Sequence, residues 1–233
     1  MIDNHNIVCI IPARGKSKRL PGKNILNFLG KPLIAHSIIT AKQSKYIDSV
    51  YVTTDDDDIA KVSKQFGAIV IKRPDELSGD NAPTITAVKH ALLSPQVANL
   101  KAFAVILLQP TSPLRPDNLV DNMIEAFMSS QHEIDSLITV SENRHKIGSI
   151  EGGIFKPLTY APGQRSQDMA PYYYENGLVY ITKTNVIIEQ DDIFGKKIKT
   201  FIVSSPFADI DIDTREDFDW AEFVGKKYLN NYE

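Results

Sequence analysis

The chain has 233 residues, 42% hydrophobic and 24% charged, with a formal net charge of −3. That length buries a substantial core as one large α/β domain or one domain with a small appendage, and the composition excludes wholesale disorder. The acidic balance argues against a protein whose task is gripping a polyanionic backbone, so no nucleic-acid partner is expected and any bound phosphate must meet a local basic cluster.

Residues 1–6 lack a basic region followed by a hydrophobic export segment, and no apolar run is long enough to span a bilayer. No membrane association and a cytoplasmic location are the expectation. Residues 7–11 form a short, continuous apolar run ending in Pro12, the pattern of a central parallel strand. Cys9, the single cysteine, falls inside this run and reads as a buried strand residue. An intramolecular disulfide is impossible, which fits a reducing compartment.

Leu33–Gln43 reads as a helix, residues 49–53 as a Val- and Tyr-containing strand, and the acidic run 55–58 as the start of a helix over 57–66. Residues 68–72 predict another short strand. Thr84–Leu93 shows helical spacing, with Ala87, Val88, Ala91 and Leu92 on one face. Residues 102–108 are the most convincing buried strand, followed by a turn-rich segment, a helix over Leu119–Ser129 and a strand over 136–140. Between 141 and 174 glycines, prolines and aromatics follow no clear period, so an irregular arm or small β-subdomain over 141–175 is expected within a single domain of 1–233. Strands at 177–182 and 200–203 and a closing helix over Arg215–Leu229 complete the chain. The alternation predicts α/β architecture, βαβ units around a mostly parallel sheet flanked by helices. Ligands of such sheets bind beyond the carboxyl ends of strands, which directs attention to the segments after Ile11, Val52, Leu108 and Ile210.

The loop after the first strand carries five basic side chains between Arg14 and Lys23: Arg14, Lys16, Lys18, Arg19 and Lys23. Gly15 and Gly22 permit close backbone approach, and Ser17 adds a hydroxyl. Charge with free backbone N–H groups at fixed positions is what a triphosphate needs. The spacing fits neither a Walker loop nor a dinucleotide-binding glycine pattern. A bare basic cluster is more often a solvated loop, but its position directly after a core strand favours phosphate binding. Asp211 and Asp213 alternate with Ile210 and Ile212, so a strand would put both carboxylates on one face, suited to Mg²⁺. On spacing alone, an exposed edge strand running into a helix N-cap is at least as good a reading. Arg73, before Pro74, is on its own equally consistent with a surface arginine.

The run from Ile11 to Asn24, Ile-Pro-Ala-Arg-Gly-x-Ser-x-Arg-Leu-Pro-Gly-Lys-Asn, resembles the signature loop of the acylneuraminate (CMP-sialic acid) synthetases. Arg73-Pro74, Asp80 with Thr84, the run from Leu107 to Arg115, Asn176-Gly177, and Ile210 to Thr214 resemble later landmarks of the same family in the same order. The resemblance implies a Rossmann-like fold with the 141–175 stretch as a dimerisation and sugar-selectivity arm. It also implies transfer of CMP from CTP to the anomeric hydroxyl of a nine-carbon keto-acid sugar, with release of pyrophosphate. Arg14, Lys23, Asp211 and Asp213 are the implied catalytic residues, the two aspartates holding Mg²⁺. The nucleotide would be held by Ala13, Arg14, Gly15, Ser17, Lys23, Asn24, Arg73, Asp80 and Thr84. Arg73 resembles the residue that reads the cytosine, and Asp80 and Thr84 lie where they can also cap a helix. Gln109, stiffened by three following prolines, and Asn176 are assigned to the sugar, as are Lys146, Gln164 and Arg165, whose N–H donors suit its carboxylate, Arg165 in a two-pronged pair. A homodimer with the arm reaching the partner's site is implied. Tyr172, Tyr173 and Tyr174 suit an interface, a pocket or core packing equally, Arg115 reads as a loop anchor, and His36, His90 and His132 read as structural or surface residues. Within the sialic acid-like branch the residues do not choose between sialic, legionaminic and pseudaminic acids. An enzyme for an eight-carbon sugar acid and a catalytically silent nucleotide sensor are the alternatives.

Overall fold

The computed structural model describes residues 2, 5–79 and 82–229. In chain order the strands are β1 (Ile7–Pro12), β2 (Asn27–Phe28), β3 (Lys31–Pro32), β4 (Ser49–Thr54), β5 (Ile69–Lys72), β6 (Ala104–Leu107), β7 (Ser136–Asn143), β8 (Gly148–Glu151), β9 (Ile154–Pro157), β10 (Tyr172–Lys183) and β11 (Ile198–Ile202). The helices are α1 (Leu33–Gln43), α2 (Asp57–Gln65), α3 (Thr84–Leu93), α4 (Pro95–Ala98), α5 (Leu119–Ser129), α6 (Thr184–Gln190) and α7 (Arg215–Leu229). Seven strands form the main sheet in the order β11-β7-β10-β6-β1-β4-β5. All neighbours pair in parallel except β10, which runs antiparallel to both β6 and β7. This is the mostly parallel, helix-flanked sheet expected from the alternation of elements.

The central strand shows why. Ile7 to Ile11 are fully buried, because helices cover both faces. The period of two sends Ile7, Cys9 and Ile11 to one face, where they pack with Ile34 and Ile38 of α1 and Met123 and Phe127 of α5. Val8 and Ile10 face the other way, onto Val88, Ala91 and Leu92 of α3. A third cluster lies beside the sheet: Leu20, Phe28, Leu33 and Leu114 pack with Ile210, Ile212 and, from α7, Phe218, Ala221 and Val224. That cluster ties the basic loop, the loop after β6 and the Asp211–Asp213 segment to one another.

Three expectations are corrected. Residues 209–213 form no strand; Ile212 N–H donates a single backbone bond to Thr111 O at 2.8 Å. The alternation survives nonetheless, since Ile210 and Ile212 are buried in the third cluster and the aspartates point outward. In the 141–175 stretch β7 runs on to Asn143, β10 starts at Tyr172, and β8 and β9 form a hairpin between them. The strand expected over 177–182 is the second half of β10, interrupted where Glu175 pairs Val140 and Tyr180 pairs Ile138. Five steps along β10 against two along β7 make a wide bulge containing Asn176 and Gly177, the latter at φ 73°. Finally, Thr84 opens α3 without capping it; Pro83 holds the cap position and no side chain caps the helix. Asp80 lies outside the described residues.

Candidate active site

The carboxyl ends of β1, β4, β5 and β6 share one edge of the sheet, and a cavity of about 560 Å³ opens there. Its wall includes Ala13, Arg14, Ser17, Lys23 and Asn24 from the loop after β1, Arg73 after β5, Thr84 at the start of α3, Gln109 after β6, and Asp211 and Asp213. Segments separated by up to 200 residues thus meet because parallel strands present the same end. Gly15 lies in this loop beneath the cavity wall.

The loop is held by buried polar contacts. Gly15 N–H donates to Asp55 Oδ1 at 3.0 Å, and Asn24 Nδ2 donates to Arg14 O at 3.0 Å, so Asn24 braces the loop itself. A Cβ on Gly15 would stand 2.5 Å from Asp56 Oδ2 and 2.7 Å from Asp56 Cβ, which makes glycine obligatory where the loop crosses the start of α2. Asp56 caps that helix, accepting from Ile59 N–H at 2.9 Å. Arg14 Nη1 reaches Gly79 O at 3.1 Å across the cavity mouth.

Lys23 has a nearly buried side chain whose Nζ donates to Ile212 O at 2.7 Å and Asp213 Oδ1 at 2.9 Å. The other oxygen of Asp213 receives Arg19 Nη2 at 2.5 Å. Asp211 accepts from the Thr111 side chain; burial raises its pKa, and the charges of Asp213 and Asp217 push the same way. Arg73 is 6% exposed, with Asp55 at 3.6 Å, too long for a hydrogen bond. Its Nε and Nη2 have no hydrogen-bond partner among the described residues, Nη2 facing Asp55 only as an ion pair. Burial lowers its pKa and Asp55 opposes the shift. These donors are the kind of buried polar atoms that usually carry a hydrogen bond, and they belong to a residue of the cavity wall.

A second cavity of about 300 Å³ adjoins the first, with Gln109 and Asp211 in the wall of both. Tyr174, Glu175, Asn176, Gly177, Tyr180 and Asp209 complete most of its lining. The β10 bulge creates it. Arg115, buried, stabilises the bulge by donating from Nε to Leu178 O at 2.7 Å, from Nη1 to Ser37 Oγ at 3.1 Å and from Nη2 to Gln109 O at 3.0 Å. It is the loop anchor expected. Asn176 Nδ2 donates to Ser141 Oγ at 2.9 Å and its Oδ1 accepts from Leu178 N–H at 3.2 Å. Tyr174 Oη donates to Asp209. Burial, with Glu175 and Asp211 behind it, pushes the Tyr180 hydroxyl up to about 12, so it stays protonated and able to donate.

Lys146, Gln164 and Arg165 line neither cavity of their own chain. Lys146 sits over the Tyr160 ring, Gln164 bonds Ala161 N–H and Asp168 O, and Arg165 pairs with Asp168 at 2.7 Å. Sequence reasoning missed Asp55, treating the acidic run only as a helix start. Its position directly after β4, at the carboxyl edge, was the available signal. Thr111 and Tyr180 carried no signal, since only the fold brings them to Asp211. His36 bonds Phe28 O at 2.8 Å, a structural role.

The family model described as cytidylyltransferase matches residues 8–232. The chain is 35% identical over 218 residues to a CMP-N,N'-diacetyllegionaminic acid synthase of Legionella pneumophila, covering 92% of this chain and 93% of that protein. It is 33% identical over 218 residues to an N-acylneuraminate cytidylyltransferase of Streptococcus agalactiae, covering 91% of this chain but 51% of that longer protein. A solved CMP:2-keto-3-deoxy-manno-octonic acid synthetase in complex with CTP is similar with a TM-score of 0.74 at 19% identity, covering 95% of this chain and 99% of that one, a likeness of fold. No helix among the described residues is long and apolar enough to cross a membrane.

Proposed function

The chain belongs to the cytidylyltransferase family, and from that premise we propose that it joins CMP from CTP to the anomeric hydroxyl of a nine-carbon, sialic acid-like sugar acid. The hydroxyl gives up its proton to water, its oxygen bonds the α-phosphorus, the bond from that phosphorus to the bridging oxygen of the β-phosphate breaks, and pyrophosphate leaves with that electron pair. The observation that carries the reading is the pair of cavities meeting at Gln109 and Asp211. A two-substrate transfer needs a nucleotide site and an acceptor site with one common wall, where the reacting atoms are held together. The basic loop suits the triphosphate, Arg14 and Lys23 above all. The unsatisfied Arg73 donors suit the carbonyl of a cytosine.

Mg²⁺ fits the carboxylate end of the larger cavity. Asp211 and Asp213 both line it, and Asp211 carries a raised pKa that a cation beside it would relieve. Bound by these two oxygen donors, Mg²⁺ would neutralise charge developing on the phosphates. Lys23, fixed by Ile212 O, orients Asp213.

The acceptor cavity is acidic, with Glu175, Asp209 and Asp211 and no lysine or arginine among its described lining residues. A sugar carboxylate therefore needs a cation from outside the chain's own wall. The arm exposes Ile150, Ile154, Phe155 and Leu158, apolar surface suited to a homodimer contact in which Lys146, Gln164 or Arg165 of one copy serves the other's acceptor cavity. A double substitution Ile154→Ser, Phe155→Ser should give a monomer by light scattering with sugar KM raised more than CTP KM. A variant still dimeric removes this reading. A reaction fed by CTP belongs in the cytoplasm, where that nucleotide is made.

The deciding assay is pyrophosphate release with CTP, Mg²⁺ and a panel of sialic, legionaminic, pseudaminic and eight-carbon sugar acids. Release with a nine-carbon member is expected. Release only with the eight-carbon acid, or CTP binding without release for any sugar, overturns the proposal.

A further inference from the structure

We propose that Arg19 is a positioning residue that latches Asp213 until the triphosphate of CTP draws it away, so that a divalent cation gains Asp213 only when the nucleotide is present. The inference rests on the cytidylyl-transfer reading above. It starts from the unequal hold of two cations on one carboxylate. Asp213 gives Oδ1 to Lys23 at 2.9 Å and Oδ2 to Arg19 at 2.5 Å, so both of its oxygens are engaged.

The two partners are built differently. The Lys23 side chain is 10% exposed and its Nζ is also fixed by Ile212 O at 2.7 Å, in a segment pinned to Thr111 by a backbone bond. The Arg19 side chain is 66% exposed and makes one hydrogen bond among the described residues, to Asp213, with the Asp217 charge also within reach, from a loop stretch, residues 16–19, without helix or strand. Exposed ion pairs of this kind are weak and exchange readily. Lys23 is therefore a permanent neighbour of Asp213 and Arg19 an exchangeable one.

Arg19 also lines the larger cavity together with Arg14, Ser17 and Lys18. A triphosphate entering there offers the guanidinium pairs of anionic oxygens matched to its two-pronged donor geometry, which a single carboxylate oxygen does not. Its move to phosphate exposes Asp213 Oδ2 beside Asp211, completing the two-oxygen site. Mg²⁺ dehydrates reluctantly and needs uncommitted oxygens, so a carboxylate with both oxygens paired is a poor ligand. The arrangement imposes an order: nucleotide first or together with the cation, and pyrophosphate departure returns Arg19 to Asp213.

The test uses Mn²⁺ as the probe, its free concentration read by electron paramagnetic resonance, with the full-length protein in the absence and presence of CTP. Wild type should bind Mn²⁺ weakly alone and much more tightly with CTP. Arg19→Met should bind Mn²⁺ several-fold more tightly than wild type without nucleotide and show a raised CTP KM with a smaller change in kcat. Arg19→Lys should restore the weak nucleotide-free binding, and adding Asp213→Asn to Arg19→Met should abolish the gain. Unchanged Mn²⁺ affinity in Arg19→Met, or a gain that persists with Asp213→Asn, overturns the latch while normal pyrophosphate release leaves the enzymatic reading intact. A wild type that releases no pyrophosphate with any sugar acid overturns both. Unchanged melting temperatures, expected for so exposed a side chain, keep the comparison clean.

Discussion

Replacing Gly15 by alanine adds a methyl group 2.5 Å from Asp56 Oδ2, 2.7 Å from its Cβ and 3.0 Å from its Cγ, where ordinary contacts begin near 3.4 Å. Gly15 is not in the left-handed region, so the cost is contact and not backbone strain. Something must move by about 1 Å, and there are two ways for it to do so. If Asp56 yields, its cap on Ile59 N–H weakens, at about 1 kcal/mol in addition to residual crowding of ~1–3 kcal/mol. If the loop yields, the Gly15 N–H bond to buried Asp55 is lost, at roughly 1.5–3 kcal/mol for a charged acceptor. Either route gives a loss of about 2 kcal/mol, or roughly 4–8 °C in Tm for a domain of this size. A loop displacement of this scale should also lower kcat/KM for CTP by ~10–100-fold, since it moves Arg14 and Ser17 from the triphosphate. Urea and thermal melts of Gly15→Ala, Asp56→Gly and the double variant form a cycle. Asp56→Gly removes the clashing Cβ and itself costs only a few tenths of a kcal/mol as a cap, so a favourable coupling of ~1 kcal/mol or more is expected. Gly15→Ala within about 0.5 kcal/mol of wild type, or strictly additive behaviour, would refute the contact argument.

Arg73→Met should raise the CTP KM by roughly tenfold or more, measured in steady-state pyrophosphate release at saturating sugar acid. Asp211→Asn should depress pyrophosphate release far more than CTP binding, with turnover and calorimetric affinity compared on the same preparation. Arg115→Met strands Leu178 O and removes one of the donors to Gln109 O, which keeps Ser37 Oγ and Ser112 N–H, and urea melts should show a loss of about 1–3 kcal/mol, moderated because the buried guanidinium is itself disfavoured, its pKa pushed down to about 10. Burial pushes the Cys9 thiol up to about 12 from an ordinary 9.0. Below pH 9 this group leaves stability unchanged; as pH rises from 9 towards 12 the unfolded thiol ionises first and stability falls. Alkaline melts should therefore decline more steeply for wild type than for Cys9→Ala, and a thiol reagent at pH 8 should label Cys9 only on unfolding.

Much of the frame was legible locally. The apolar run 7–11 announced a strand buried on both faces, and the basic stretch from Arg14 to Lys23, arriving directly after it, announced a charged loop at the carboxyl edge of the sheet. The alternation from Asp209 to Asp213 was read correctly as apolar-in, acidic-out, yet wrongly as a strand. Period two requires only an extended backbone, and here the third hydrophobic cluster supplies the extension without a neighbouring strand. Asp55 was hidden because the run 55–58 does two jobs at adjacent positions: Asp56 caps α2 while Asp55 turns inward to Gly15 and Arg73.

By itself the sequence determined the order of elements, the parallel core and the placing of a basic loop and a carboxylate pair after strands, since these follow from periodicity and from glycine and charge at short range. Tertiary structure alone decided which of the five loop cations matter to Asp213: a buried, doubly bonded Lys23 and an exposed, singly bonded Arg19 look alike as residues. It also decided the smaller cavity, because the β10 bulge beside it is held by Arg115 reaching Leu178 O across 63 positions, a long-range contact that no local spacing encodes.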